Sequence, residues 1–304
     1  MSASHRVRMP SNGIKSAMFI EPVARFRSPF KTKFGIPRQA GLVPDLKGKI
    51  VFEPKFRCAD AVRGLEGFDY IWLIWGFSGN KARSVAELVE ASGALRQAQR
   101  PESAFQATVR PPRLGGNERI GVFASRSPFR PNGLGLSSVR IESIEYDSKD
   151  PDGKPVGPVI HVLGADLMDG TPIYDIKPYV TYADSHPDAS SGFVDDKEWK
   201  PLMVVFAPSV TSTGSVTDAL CSTSPSPVTE LVEVTEPAEV TVQGWNEADI
   251  EALRKVLAQD PRPRYQNDPD KVYGMIFNDM DVRFKVREDV LTVVEIKSPD
   301  RKDK

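Results

Sequence analysis

Arg126 and Arg130 stand four residues apart in the stretch FASRSPFRPNGLG (123–135), among Pro128, Pro131, Gly133 and Gly135. Proline and glycine at this density make helix and strand poor, so the stretch reads as a shaped loop. A planar guanidinium on a stiff loop can be aimed at a carboxylate or a phosphate. A solvated basic turn is the plainer alternative. Three further stretches combine charge with Gly or Pro: GIPRQAG (35–41), DLMDGTPIYDIKPY (166–179) and DPRPRY (260–265). Arg38 and Gln39, behind Pro37, present a donor fork and an amide. Asp166 and Asp169, just before Gly170, can accept hydrogen bonds from hydroxyls or an amine, or act as a base. Turn capping is their alternative reading. His161 alternates within an expected strand and reads as structural. Trp72, Trp75 and Phe77 read as core.

These groups must be carried by a frame. SAMFIEPVARF (16–26), KGKIVFEP (47–54) and the apolar run Tyr70–Phe77 are expected strands, the last of them buried. LGLSSVRIESIEYD (134–147) alternates as a strand, DSKDPDGKPVGP turns, and VIHVLGADLMDG (159–170) returns. SVAELVEASGALRQAQ has helical spacing and reads as a surface insertion. WNEADIEALRKVLAQDP predicts a helix capped by Asn246, with Ile250, Leu253, Val256 and Leu257 on one face and Asp260-Pro261 as its end. KVYGMIFNDMDVRFKVREDVLTVVEIKS predicts three strands with turns at Asn278-Asp279 and Glu288-Asp289. Short strands with few long helices make the chain mostly β, a barrel or a sandwich. No Gly-rich phosphate loop or strand-helix alternation supports a Rossmann-type cofactor domain.

The formal net charge of -1 over 304 residues conceals an asymmetry. Residues 209–243 carry five carboxylates and no Lys or Arg, in a Ser/Thr/Val/Pro/Glu-rich stretch without aromatics that reads as a flexible insert. Residues 110–140 hold six arginines against Glu118, a net of +5 that can steer an anionic ligand. The chain has no apolar run near the roughly 18 residues needed to span a bilayer. Its N-terminal residues lack an apolar signal core. Two cysteines and three histidines argue against a disulfide framework or a zinc site, and a cytoplasmic setting is expected.

Taken in order, IPRQAGLV (36–43), ADAVRGLEGFDYIWLIWGF (59–77), TVRPPRLGGNERIGVFASRSPFRPNGLGLS (108–137), DLMDGTPIYDIKPY (166–179) and DPRPRY (260–265) resemble the TsaA-like family, named TrmO where its activity is assigned. The resemblance covers roughly residues 17–208 and 244–297. It implies a β-barrel methyltransferase domain over 17–208 and a small α+β C-terminal domain over 244–297. A flexible arm (1–16), the insert (209–243) and a charged tail (298–304) complete the chain. It further implies S-adenosyl-L-methionine as cofactor, tRNA as partner, a homodimer, no metal, and N6-methylation of threonylcarbamoyladenosine beside the anticodon. A non-catalytic RNA-binding barrel is the alternative. By position, Pro37, Arg38, Gln39, Arg126, Leu136, Asp166, Asp169 and Gly170 fall on the cofactor side. Ser78 joins them at a position where the family often has His. Arg113, Arg130, Arg262 and Arg264 fall on the tRNA side. The segment SRSPFRPNGLG replaces a more usual TRSTFRPNPIG. The acceptor nitrogen needs a base or a stabilising cation. Asp166, Asp169 and Tyr265 stay open as bases, and Arg126 and Arg130 are candidate electrostatic stabilisers.

Overall fold

The computed structural model describes residues 20–77, 107–111, 118–195, 200–207, 210, 240, 242–262 and 268–299. Apolar alternation in the sequence produces two strands of the first sheet, β2 (Lys47–Phe52) and β3 (Tyr70–Gly76). Side chains alternate across a strand, so Ile50 and Phe52 on β2, and Ile71, Leu73 and Trp75 on β3, share a buried face. Strand β1 (Ala24–Arg27) starts later than the expected 16–26, after Pro22, which has no N–H for a ladder. Residues 16–19 of that expected strand lie outside the described residues.

After β3 come two short strands, β4 (Thr108–Val109) and β5 (Ile120–Gly121), which among the described residues pair with each other alone. Strand β6 (Leu134–Glu145) and strand β7 (Val159–Leu163) follow, antiparallel across the Asp-Pro-Asp-Gly turn. Strand β8 (Pro172–Pro178) is an addition to the sequence reading, which took 166–179 as loop. Its prolines sit only at its two ends, where a missing N–H is tolerated. Hydrogen bonding runs β1-β2-β7-β6-β3-β8 and returns to β1, so the sheet closes on itself. Ala24, Phe26, Ile50, Ile71, Leu73, Val139, Ile160, Val162 and Ile173 fill it. Each of these side chains larger than alanine is worth roughly 1.5–3 kcal/mol of burial.

The C-terminal unit follows its sequence closely. Strands β10 (Tyr273–Phe277), β11 (Met280–Arg287) and β12 (Val290–Lys297) form two hairpins. Their turns hold Asn278, Asp279 and Glu288 at positive φ. The helix Glu247–Ala258 carries a full capping box between Asn246 and Asp249, and buries Ala252, Leu253, Val256 and Leu257. Ile250 is only half-buried at its rim. Strand β9 (Met203–Phe206) pairs in parallel with β12, so this sheet begins before the compositional boundary at 208. Phe30, Val43 and Leu46 from the β1–β2 connection pack into the same core. The mostly-β expectation is met. The expected helix in 79–104, most of the insert 209–243 and the arm 1–16 lie outside the described residues.

Candidate functional site

Three loops meet at one end of the closed sheet. The first, residues 35–46, joins β1 to β2. Its Pro37 is buried and its Gly41 has φ +82, a conformation costly for other residues. The Gly41 N–H donates to the Gly164 carbonyl at 2.8 Å, and the Gly164 N–H donates to the Leu46 carbonyl at 2.9 Å. Those two bonds fasten this loop to the start of the second loop, residues 164–171, which joins β7 to β8. The third, residues 122–133, is the arginine loop. It is shaped from within: the Ser125 hydroxyl donates to the Val122 carbonyl, and the Gly133 N–H donates to the Arg130 carbonyl.

The side chains then come together. Arg126 is exposed and donates from Nη1 to Gln39 Oε1 at 2.5 Å. Asp166 is half-buried beneath them. Its carboxylate accepts from the Ser137 hydroxyl at 2.7 Å and from the backbone of Ala40. Ser137 in turn accepts the Trp75 indole N–H at 3.0 Å. Burial pushes the Asp166 carboxyl above the ordinary carboxylate range. The Ser137 hydroxyl, backbone N–H groups and the Arg126 charge oppose that rise without cancelling it. The site therefore pairs an exposed cation and an amide with a carboxylate that holds its proton more tightly than usual.

Asp169 is turned to another task. Its Oδ1 accepts the Ser28 N–H at 3.1 Å, and its Oδ2 lies 3.3 Å from Lys31 Nζ and 3.8 Å from Arg27 Nη1. Its own N–H donates to the Phe30 carbonyl at 2.8 Å. Asp169 thus clamps the segment after β1 and borders a groove of about 370 Å³ lined by basic Arg27, Lys31, Lys47 and Lys49 and acidic Glu142 and Asp279. Gly170, expected on the cofactor side, serves the same clamp through its N–H to the Phe26 carbonyl.

Other expected site residues are placed as follows. Arg38 is exposed and reaches the Asp260 carbonyl at 3.4 Å, linking the first loop to the C-terminal unit. Leu136 is 56% exposed on β6, next to Ser137. Arg130, expected on the tRNA side, donates to the Ser125 carbonyl at 2.8 Å and lies over the Phe123 ring. It braces its own loop. Arg262, expected at the tRNA surface, is only 8% exposed, with Nε and Nη2 on the Asp260 carboxylate. A buried, paired guanidinium is a structural group and not a surface phosphate contact. Ser78, Arg113, Arg264 and Tyr265 lie outside the described residues.

Sequence reasoning missed Ser137. The signal is present but faint: Ser137 shares its inward row on β6 with Gly135 and Val139, so it is a polar residue where the strand demands an apolar one.

Comparison with known proteins bears on both halves of the chain. The family model described as the tRNA-methyltransferase O N-terminal domain matches residues 25–185, and the TrmO C-terminal domain matches residues 227–299. A tRNA (adenine(37)-N6)-methyltransferase of Escherichia coli is 35% identical over 90% of this chain and 95% of its own length. A putative S-adenosylmethionine-dependent methyltransferase of Pseudomonas aeruginosa is 33% identical over 92% of this chain and 98% of its own. A crystal structure of TrmO from the same species superposes with a TM-score of 0.59 at 27% identity, covering 93% of this chain and 98% of that one.

Proposed function

The chain belongs to the tRNA-methyltransferase O family and is an S-adenosylmethionine-dependent tRNA methyltransferase; we propose that its acceptor is N6 of threonylcarbamoyladenosine beside the anticodon, and that transfer takes place where the three loops meet. The observation that most supports this placement is the convergence of Gln39, Arg126 and Asp166 from three separate loops. The Escherichia coli relative is named for adenine 37. The threonylcarbamoyl group on that base is our reading of the five-part motif.

The residues present suit the cofactor. Arg126 and Gln39 offer donors to a carboxylate, Asp166 offers an acceptor to a hydroxyl or ammonium, and exposed Leu136 offers apolar surface. When bound, the cofactor supplies a sulfonium methyl for a single in-line displacement. The chain contributes chiefly by positioning and by managing one proton. The acceptor nitrogen lies between a purine ring and a carbonyl, which delocalise its lone pair. Its N–H proton must leave as the new N–C bond forms. Asp166 takes up that proton, and its raised affinity for one favours the role. Arg126 stabilises negative charge that develops on the acceptor.

Exposed Arg110, Arg119 and Arg140 supply contacts to the tRNA backbone, so affinity falls with salt. The same reading includes a homodimer, for which Phe123 and Phe129, 67% and 56% exposed on the arginine loop, offer apolar contact surface. Sedimentation at graded concentration checks the dimer. No helix among the described residues is long and apolar enough to cross a membrane.

The test of function uses labelled S-adenosylmethionine and bulk tRNA from cells with and without the threonylcarbamoyl modification. Label is expected only in the modified tRNA. Equal label in both would reject the acceptor, and label in neither would favour a non-catalytic RNA-binding protein.

A further inference from the structure

We propose that Ser137 is a positioning residue for Asp166, held in its working rotamer by Trp75, and that this pair fixes the carboxylate at the transfer site. The role in transfer rests on the reading of Asp166 as the proton acceptor. The positioning itself rests on geometry alone.

Register sets the arrangement. On the inner face of β3 and β6, Trp75 stands opposite Gly135, and Leu73 stands opposite Ser137. A Cβ at Gly135 would lie 2.4 Å from the Trp75 ring, so only glycine leaves room for the indole there. With that space open, the indole lies across β6 and its N–H meets Ser137, its diagonal neighbour, at 3.0 Å. Ser137 is 3% exposed among apolar neighbours. A hydroxyl buried in such a row is costly unless its bonds are made.

Chemistry then fixes the direction of the chain. An indole N–H can only donate, so the Ser137 oxygen accepts it. The single hydroxyl hydrogen is left for Asp166 Oδ1, 2.7 Å away. That hydrogen favours the ionised carboxylate and opposes the effect of burial. Without Trp75 the hydroxyl could rotate toward other acceptors. Without Ser137 the carboxylate would keep its burial and lose a donor. The trio spans a strand, its neighbour and the 164–171 loop, so it joins the rigid wall of the sheet to a group carried on a loop.

The experiment measures the Asp166 carboxyl by carbon NMR in the full-length protein, assigned through Asp166→Asn. It is paired with single-turnover methyl transfer to modified tRNA across pH. In Ser137→Ala the carboxyl is expected to titrate higher, because a donor that favours the ionised form is gone. The acid limb of transfer should rise with it, so transfer within the limb falls and the loss shrinks as pH rises. Ser137→Thr, which keeps the hydroxyl, should restore both. Trp75→Phe, which removes only the indole donor, should move both in the same direction by less. Trp75→Phe also carries the test if Ser137→Ala does not fold. A carboxyl that titrates unchanged in the folded variants would overturn the proposal. A carboxyl that moves while the limb stays still would uphold the positioning and overturn Asp166 as the base.

Discussion

Asp166 and Asp169 lie three residues apart on one loop, yet their surroundings differ in kind. Asp166 meets a hydroxyl, a backbone N–H and the field of one exposed arginine, in a half-buried position. Asp169 meets the Ser28 N–H and two basic side chains at the edge of an open groove. Burial with few compensating charges raises a carboxyl's proton affinity, whereas an acid bonded to a backbone N–H and beside two basic side chains holds chain segments together. One loop therefore supplies a group suited to proton uptake and a group suited to holding structure. Residue type and spacing alone give no basis for telling them apart. The difference comes from which neighbours the closed sheet brings to each.

The largest effect is expected from Asp166→Asn. Loss of a positioned base should lower single-turnover transfer by about 10²–10⁴-fold. Stability should move the other way. A carboxyl whose folded proton affinity is raised binds more protons in the native state than in the unfolded one. It therefore costs stability as pH rises from the ordinary carboxylate value through the raised folded one. Above that window the cost is complete. Asn, which has no charge to desolvate, should hold or raise the melting temperature at neutral pH. A variant that loses transfer because it unfolds would break the comparison.

Next is Arg126→Ala, which removes the bond to Gln39 and an exposed cation at the Asp166 site. S-adenosylmethionine binding should weaken about 10–100-fold by calorimetry. Asp169→Asn comes third. It should cost about 1–3 kcal/mol in denaturant unfolding, through the weakened clamp on 26–31. It should also keep the acid limb of transfer where it was. If this variant instead moved the limb, the division of labour between the aspartates would be reversed. Smallest is Lys31→Ala, which removes an exposed half of the clamp and should cost at most about 1 kcal/mol.

Much of the frame was legible because the patterns are local. β2, β3 and β6 alternate in apolar side chains, and the helix Glu247–Ala258 announces itself through Asn246 and a repeating apolar face. The two C-terminal turns fell at Asn278-Asp279 and Glu288-Asp289 as their residue types demand. β8 was hidden by its prolines and by the charged DLMDGTP before it. The pairing of β9 with β12 was hidden because it joins segments some ninety residues apart, across the insert.

At the site, the types and loops of Gln39, Arg126 and Asp166 could be read from sequence, but not their meeting. Arg130 and Arg262 looked like surface cations because charge alone cannot show that a guanidinium has been spent on a nearby carbonyl or carboxylate. Ser137 was invisible beside Ser138. Two adjacent serines on an alternating strand do not say which one faces inward until β3 fixes the register.

The most direct test of the division between the two aspartates is the pH dependence of single-turnover transfer in the unaltered protein, Asp169→Asn and Asp166→Asn. We expect an acid limb above the ordinary carboxylate range in the first two and its disappearance in the third. An unchanged limb in Asp166→Asn would contradict the assignment of Asp166 as the proton acceptor.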